Sequence, residues 1–81
     1  MSDNYFLVMV NVYNRANDAL WAEYVGNFLG KEEAITQGKA HELRIMNEIM
    51  DDWKSDEYTI NKEFKFEHQV FQIGRFQNEN L

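Results

Sequence analysis

The residues with most scope for chemistry are His41 and Glu42, adjacent in mid-chain, and His68, alone in the C-terminal third. A zinc-protease helix carries a second histidine four positions after the first, so that both imidazoles leave one helical face toward the metal. Position 45 is Ile, so that motif fails. The two histidines read as surface or rim residues, and no metal site is expected. Nucleophilic catalysis needs a hydroxyl or thiol beside a base. The chain offers only Ser2, Thr36, Ser55 and Thr59, none in a recognisable nucleophile context, and it has no cysteine. Its glycines, at 26, 30, 38 and 74, are too scattered to cradle a phosphate. The reading is a non-catalytic chain without a cofactor.

The densest cluster of charge is Asp51-Asp52-Trp53-Lys54-Ser55-Asp56-Glu57. It lacks the ligand spacing and central glycine of a calcium loop, so it reads as a solvated helix end. Acid at a helix C-terminus opposes the helix dipole, and that conflict points to a partner bearing basic residues. Glu33, Glu48, Asp51, Asp52, Asp56 and Glu57 form the candidate acidic rim. Glu42 is different, because a helical wheel places it inside the apolar arc, where an unpaired carboxylate is expensive. Arg75, Lys65 or a tyrosine hydroxyl is the expected structural partner. The alternative is a ligand-binding carboxylate, with Tyr5, Trp21, Tyr24, Phe64 and Phe66 as the apolar walls of a small-molecule site.

These side chains must be positioned by one small domain spanning residues 1–81, with frayed ends at 1–4 and 77–81. The chain has 81 residues, 44% of them hydrophobic, no proline and a net charge of −6. A chain of this size buries only about 60% of its unfolded surface, so stability is modest and association with another chain helps. The charge is uneven: −2 over residues 1–30, −4 over 31–57 and zero over 58–81. An acidic surface repels phosphate, so direct nucleic-acid binding is disfavoured. No segment approaches the length of a membrane span, and the N-terminus lacks a basic signal region, so Met1 reads as a translation start. Absence of cysteine suits a reducing compartment, and the cytoplasm is the expected location.

Tyr5 to Tyr13 is the clearest strand, with Phe6, Val8, Val10 and Val12 on one side and Tyr5, Leu7, Met9 and Asn11 on the other. Asn14 to Asp18 predicts a turn. Ala19 to Leu29 satisfies helical periodicity, yet Gly26 weakens a helix and the aromatic and β-branched residues favour a strand; a short turn makes a hairpin the simpler pairing. Gly30 and the carboxylates after it open a helix running to about Trp53. Tyr58 to Phe76 reads as β again, with a slip at Val70 and Phe71 that a bulge or a second turn near His68 would explain; Gly74 is another candidate bulge. The expected fold class is α+β: a small antiparallel β-sheet in the order β-β-α-β, its last region open to division, with one long helix packed across one face.

One helix covers one face, yet the first strand is apolar on both. Tyr5, Leu7 and Met9, with Trp21, Val25 and Leu29 from the second strand, are expected on the far side. Either that face meets a partner or a second copy, or the segment from Tyr58 onward folds over it. By size, acidity and lack of catalytic parts the chain resembles small phage-encoded inhibitors such as anti-CRISPR proteins. That resemblance implies a protein that occludes a larger, nucleic-acid-binding partner by presenting carboxylates in place of phosphates. A homodimeric accessory protein and a small-ligand binder are the alternatives.

Overall fold

The computed structural model describes residues 4–74. In chain order they form β1 (Tyr5–Asn14), β2 (Ala19–Phe28), α1 (Lys31–Trp53), α2 (Glu57–Glu63) and β3 (Phe64–Ile73). The strands make one antiparallel sheet, ordered β2-β1-β3, and α1 lies across one face, so the fold is α+β. The expected fraying at 1–4 and 77–81 falls outside the described residues, apart from Asn4.

β1 is central because its valines can be sealed on one side while its other side pairs along both edges. Val8, Val10 and Val12 are fully buried beneath Ala34, Ile45, Ile49 and Ile60. The β1–β2 connection uses the asparagines as expected. Asn14 Oδ1 accepts from the amides of Ala16 and Asp18, both at 2.9 Å, and Asn17 takes a left-handed backbone at φ 68°. Asn17 N donates to Asn14 O at 3.0 Å, closing a three-residue hairpin loop. This turn, with the β-forming side chains that follow, overrides the helical periodicity of residues 19–29.

α1 begins at Gly30, whose extended backbone (φ −107°, ψ 139°) lets its carbonyl accept from Ala34 N at 3.0 Å. Its buried stripe is Ala34, Gly38, Ile45 and Ile49. The small residues bring the helix down onto the sheet: a Cβ on Gly38 would lie 2.9 Å from His68 Cβ. The helix ends in a Schellman closure, with Ser55 N donating to Met50 O at 3.0 Å and Lys54 N to Asp51 O at 3.3 Å. The closure holds Lys54, a non-glycine residue, at φ 51°.

Two expectations for the C-terminal third are corrected. Residues 57–63 are helical, because Asp56 Oδ1 accepts from Thr59 N at 2.9 Å and caps a turn that buries Ile60. Arg15 Nε donates to Asn61 O at 2.9 Å, tying α2 to the hairpin turn. From Phe64 the ladder with β1 then runs unbroken to Ile73, with neither a turn nor a bulge near His68, and Gly74 lies beyond its end. The apparent slip is simple alternation: Val70 pairs with Val8 on the helix side and Phe71 with Leu7 on the far side, and both sides are apolar there. The segment from Tyr58 therefore packs α2 on the helix side and extends the sheet from Phe64, rather than folding over the far face.

Candidate functional site

Two features stand out, one between the layers and one on the bare side of the sheet. Val10 pairs with Glu23 on β2 and with His68 on β3, so these three form one transverse row of the sheet. Above the row, α1 presents His41 and Glu42 in the gap of its apolar stripe. His41 Nε2 meets Glu23 Oε1 at 2.8 Å, and His68 Nδ1 donates to Glu42 Oε2 at 2.5 Å. Glu23 Oε2 also accepts from Trp21 Nε1 at 3.0 Å. Each strand flanking β1 is thus joined to the helix by a carboxylate–imidazole pair, with the donor and acceptor roles exchanged between the two sides.

This clasp answers the question Glu42 posed. Its partner is His68, not Lys65 or a tyrosine hydroxyl, and Arg75 lies outside the described residues. A strand residue 26 positions away is invisible to helical spacing, which is why sequence reasoning missed it. The histidines read as rim residues are instead part of the helix–sheet contact. The hydrogen bond from His41 holds the Glu23 carboxyl below its ordinary value, against a smaller upward push from burial. Both oxygens of Glu23 are engaged, and among the described residues no group of three or more His, Cys, Asp or Glu is placed to hold a metal; the two pairs tie α1 to the strands on either side of β1.

The small-molecule site expected around Glu42 is not assembled. Tyr5 lies on the far face, opposite Ile73, whereas Phe64 and Phe66 pack beside Trp53 on the helix side. A shallow groove of about 450 Å³ does open between β2 and α1, lined by Tyr24, Val25, Phe28, Gln37, His41 and Arg44, and Glu42 is not among its walls.

The far face follows from register, since directly paired residues share a side of the sheet. Tyr5 pairs with Ile73, Leu7 with Phe71 and Asn27, and Met9 with Gln69 and Tyr24. Beyond these the face turns polar: Asn11 pairs with Glu67, its Nδ2 donating to Gln69 Oε1 at 2.8 Å, and Tyr13 pairs with Lys65. Both helices bury their apolar residues on the opposite side, against Val10 and Val12. Among the described residues nothing lies over the far face, and Phe71 remains 44% exposed.

Two members of the expected face are corrected. Trp21 pairs with Val12 and Val25 packs against the core, so both belong to the helix side. The reason is a pair of bulges in β2. Leu20 and Val25 are extra residues opposite β1, and each resets the alternation that the sequence pattern assumed to be continuous. Tyr24, paired with Met9 beside the second bulge, stands at the sheet margin, where it also borders the β2–α1 groove. Leu29, just past the strand, is the most exposed large apolar side chain at 83%.

The acidic rim is real as exposed charge but is not one patch. Glu33 lies in the first turn of α1, and Glu48, Asp51 and Asp52 lie roughly 22–28 Å along the helix. Glu48 pairs with Arg44 at 3.5 Å. Asp56 is the N-cap of α2, and its bond from Thr59 holds its carboxyl below the ordinary range. Carboxylates on the outer side of α1 point away from the open sheet face, so no single flat surface touches both. No protein-family model, curated protein or solved structure matches the chain.

Proposed function

We propose that the chain is a non-catalytic protein-binding module that covers a surface of a larger partner through its open sheet face. The observation behind this reading is the apolar end of that face, where Tyr5, Leu7, Met9, Phe71 and Ile73 share one side with no described element over them. Three strands about 4.8 Å apart and five residues of strand give that end an area of roughly 250 Å². Burying it is worth several kcal/mol at about 25 cal/mol per Å².

Area also argues about the kind of partner. The whole face measures roughly 480 Å², so two copies packed face to face bury about 950 Å² in total, short of the roughly 1,200 Å² of a specific interface. A larger protein that reaches past the sheet margin onto Leu29 and the β2–α1 groove supplies the remainder. Occlusion of whatever that surface normally binds is the resulting activity.

A second reading favours the carboxylates at the C-terminal end of α1, where Asp51 and Asp52 stand in a last turn with no basic residue. On this reading they imitate phosphates toward a nucleic-acid-binding partner. Salt separates the two. Capture from the native host lysate at low and high salt, with Leu7→Asp and Asp51→Asn/Asp52→Asn variants, is the test. Docking through the face predicts retention at high salt and loss in Leu7→Asp. An acidic mimic predicts loss at high salt and in the double variant, because exposed charges are screened beyond about 8 Å at physiological ionic strength.

A further inference from the structure

Edge strands present unpaired main-chain groups, and folded chains blunt them with bulges, proline, inward charge or a covering element. The two edges of this sheet are treated differently. β2 carries extra residues at Leu20 and Val25, which interrupt its ladder. β3 pairs with β1 through all ten of its residues without a shift, and the chain has no proline to interrupt it. Among the described residues no further strand pairs along it, and the contacts of α2 are with the core through Ile60 and with the hairpin turn through the bond from Arg15 to Asn61.

We propose that β3 pairs antiparallel with β3 of a second copy, about a two-fold axis at Phe66. Charge favours this register over its immediate neighbours. Lys65, whose Nζ within one copy donates to Asn17 Oδ1 at 3.3 Å and lies 5.4 Å from the Tyr13 ring, and Glu67 lie on the same face, one on each side of Phe66, so an axis at Phe66 sets each Lys65 directly opposite the Glu67 of the other copy. An axis one residue away in either direction sets two lysines or two glutamates against each other, which is unfavourable.

A second observation falls at the same place. On the helix side Phe66 lies 6.2 Å from Phe64, and Phe64 lies 5.2 Å from Trp53, whose surface is half exposed. The axis brings two such aromatic clusters edge to edge and covers Trp53. The product is a six-stranded sheet joined through residues 64–68 of each copy, the only part of β3 that faces its counterpart about this axis. It uses the strand edge and not the face, so it stands or falls independently of partner docking.

The interface is small, which places the dimer among weak associations, and sedimentation should span about 5 to 500 µM. The expected result is a monomer–dimer equilibrium for the unmodified chain. Lys65→Glu and Glu67→Lys should each weaken it by roughly tenfold or more, because each turns two attractive cross-strand pairs into repulsive ones. The double swap should restore it, with circular dichroism unchanged throughout. In a mixed-label sample, a ring-to-ring nuclear Overhauser effect between the two Phe66 side chains is also expected. A chain monomeric across that range, a dimer indifferent to the single swaps, absence of the Phe66 contact, or a dimer lost instead on Leu7→Asp would each overturn the proposal.

Discussion

Gly38→Ala tests the closeness of helix and sheet. In an exposed helix interior this change is stabilising by about 1 kcal/mol, because glycine loses the most backbone freedom on folding. Here the new methyl would sit 2.9 Å from His68 Cβ, 3.1 Å from its Cγ and 3.2 Å from Val8 Cγ1. The nearest atom is attached directly to the β3 backbone, so no rotamer change relieves it. Either α1 lifts or β3 shifts, and both motions pull His68 away from Glu42. Overpacking costs about 1–3 kcal/mol, and loss of a hydrogen bond to a charged group costs about 1.5–3 kcal/mol. Set against the propensity gain, the net expectation is a destabilisation of about 1.5–5 kcal/mol. At about 4–8 °C per kcal/mol for a domain of this size, the thermal midpoint falls by roughly 6–40 °C. Thr36→Ala, at an exposed position on the same helix, is the control and should gain about 0.5 kcal/mol. Thermal and urea unfolding followed by circular dichroism reads both. A Gly38→Ala variant as stable as the control would refute the packing argument.

Other outcomes follow from the same geometry. Lys54→Gly should stabilise by about 1 kcal/mol in urea unfolding, because the Schellman closure holds position 54 in a left-handed conformation that costs a side-chain-bearing residue about that much. Glu42→Gln should lower stability before it affects any partner binding, since His68 is the group it serves. The Glu23 carboxyl is held below its ordinary value of 4.5, so the stability it contributes is complete above that pH and is lost as pH falls through the lowered folded value. Glu23→Gln should therefore flatten the acid limb of the stability profile below pH 4.5 while removing a constant increment above it.

Most of the fold was legible because it is carried by local pattern. The valines of β1, the asparagine-rich turn and the long apolar stripe of α1 each state their element within a dozen residues. What failed was non-local or one residue wide. A single extra residue in β2 moves Trp21 and Val25 to the other side of the sheet, and no periodicity announces it. α2 was missed because Tyr58, Thr59 and Ile60 are β-forming types, although Asp56 three residues before Thr59 is a usable capping signal. The partners of Glu42 and His41 come from strands distant in sequence, so their polar character was visible and their pairing was not. An apolar far face was anticipated from Tyr5, Leu7 and Met9, with Trp21 and Val25 wrongly added to it; its members Phe71 and Ile73 required the register.

The central claim is that the far side of the sheet, over which no described element lies, is where another protein sits. Its most direct test is site-specific photocrosslinking in native host cells, with the photoreactive residue placed at Phe71 on the open face and, for comparison, at Lys39 on the exposed side of α1. The account predicts one defined adduct from position 71, absent from position 39 and abolished by Leu7→Asp. Adducts of equal yield from both positions, or an adduct at position 71 that survives Leu7→Asp, would contradict it.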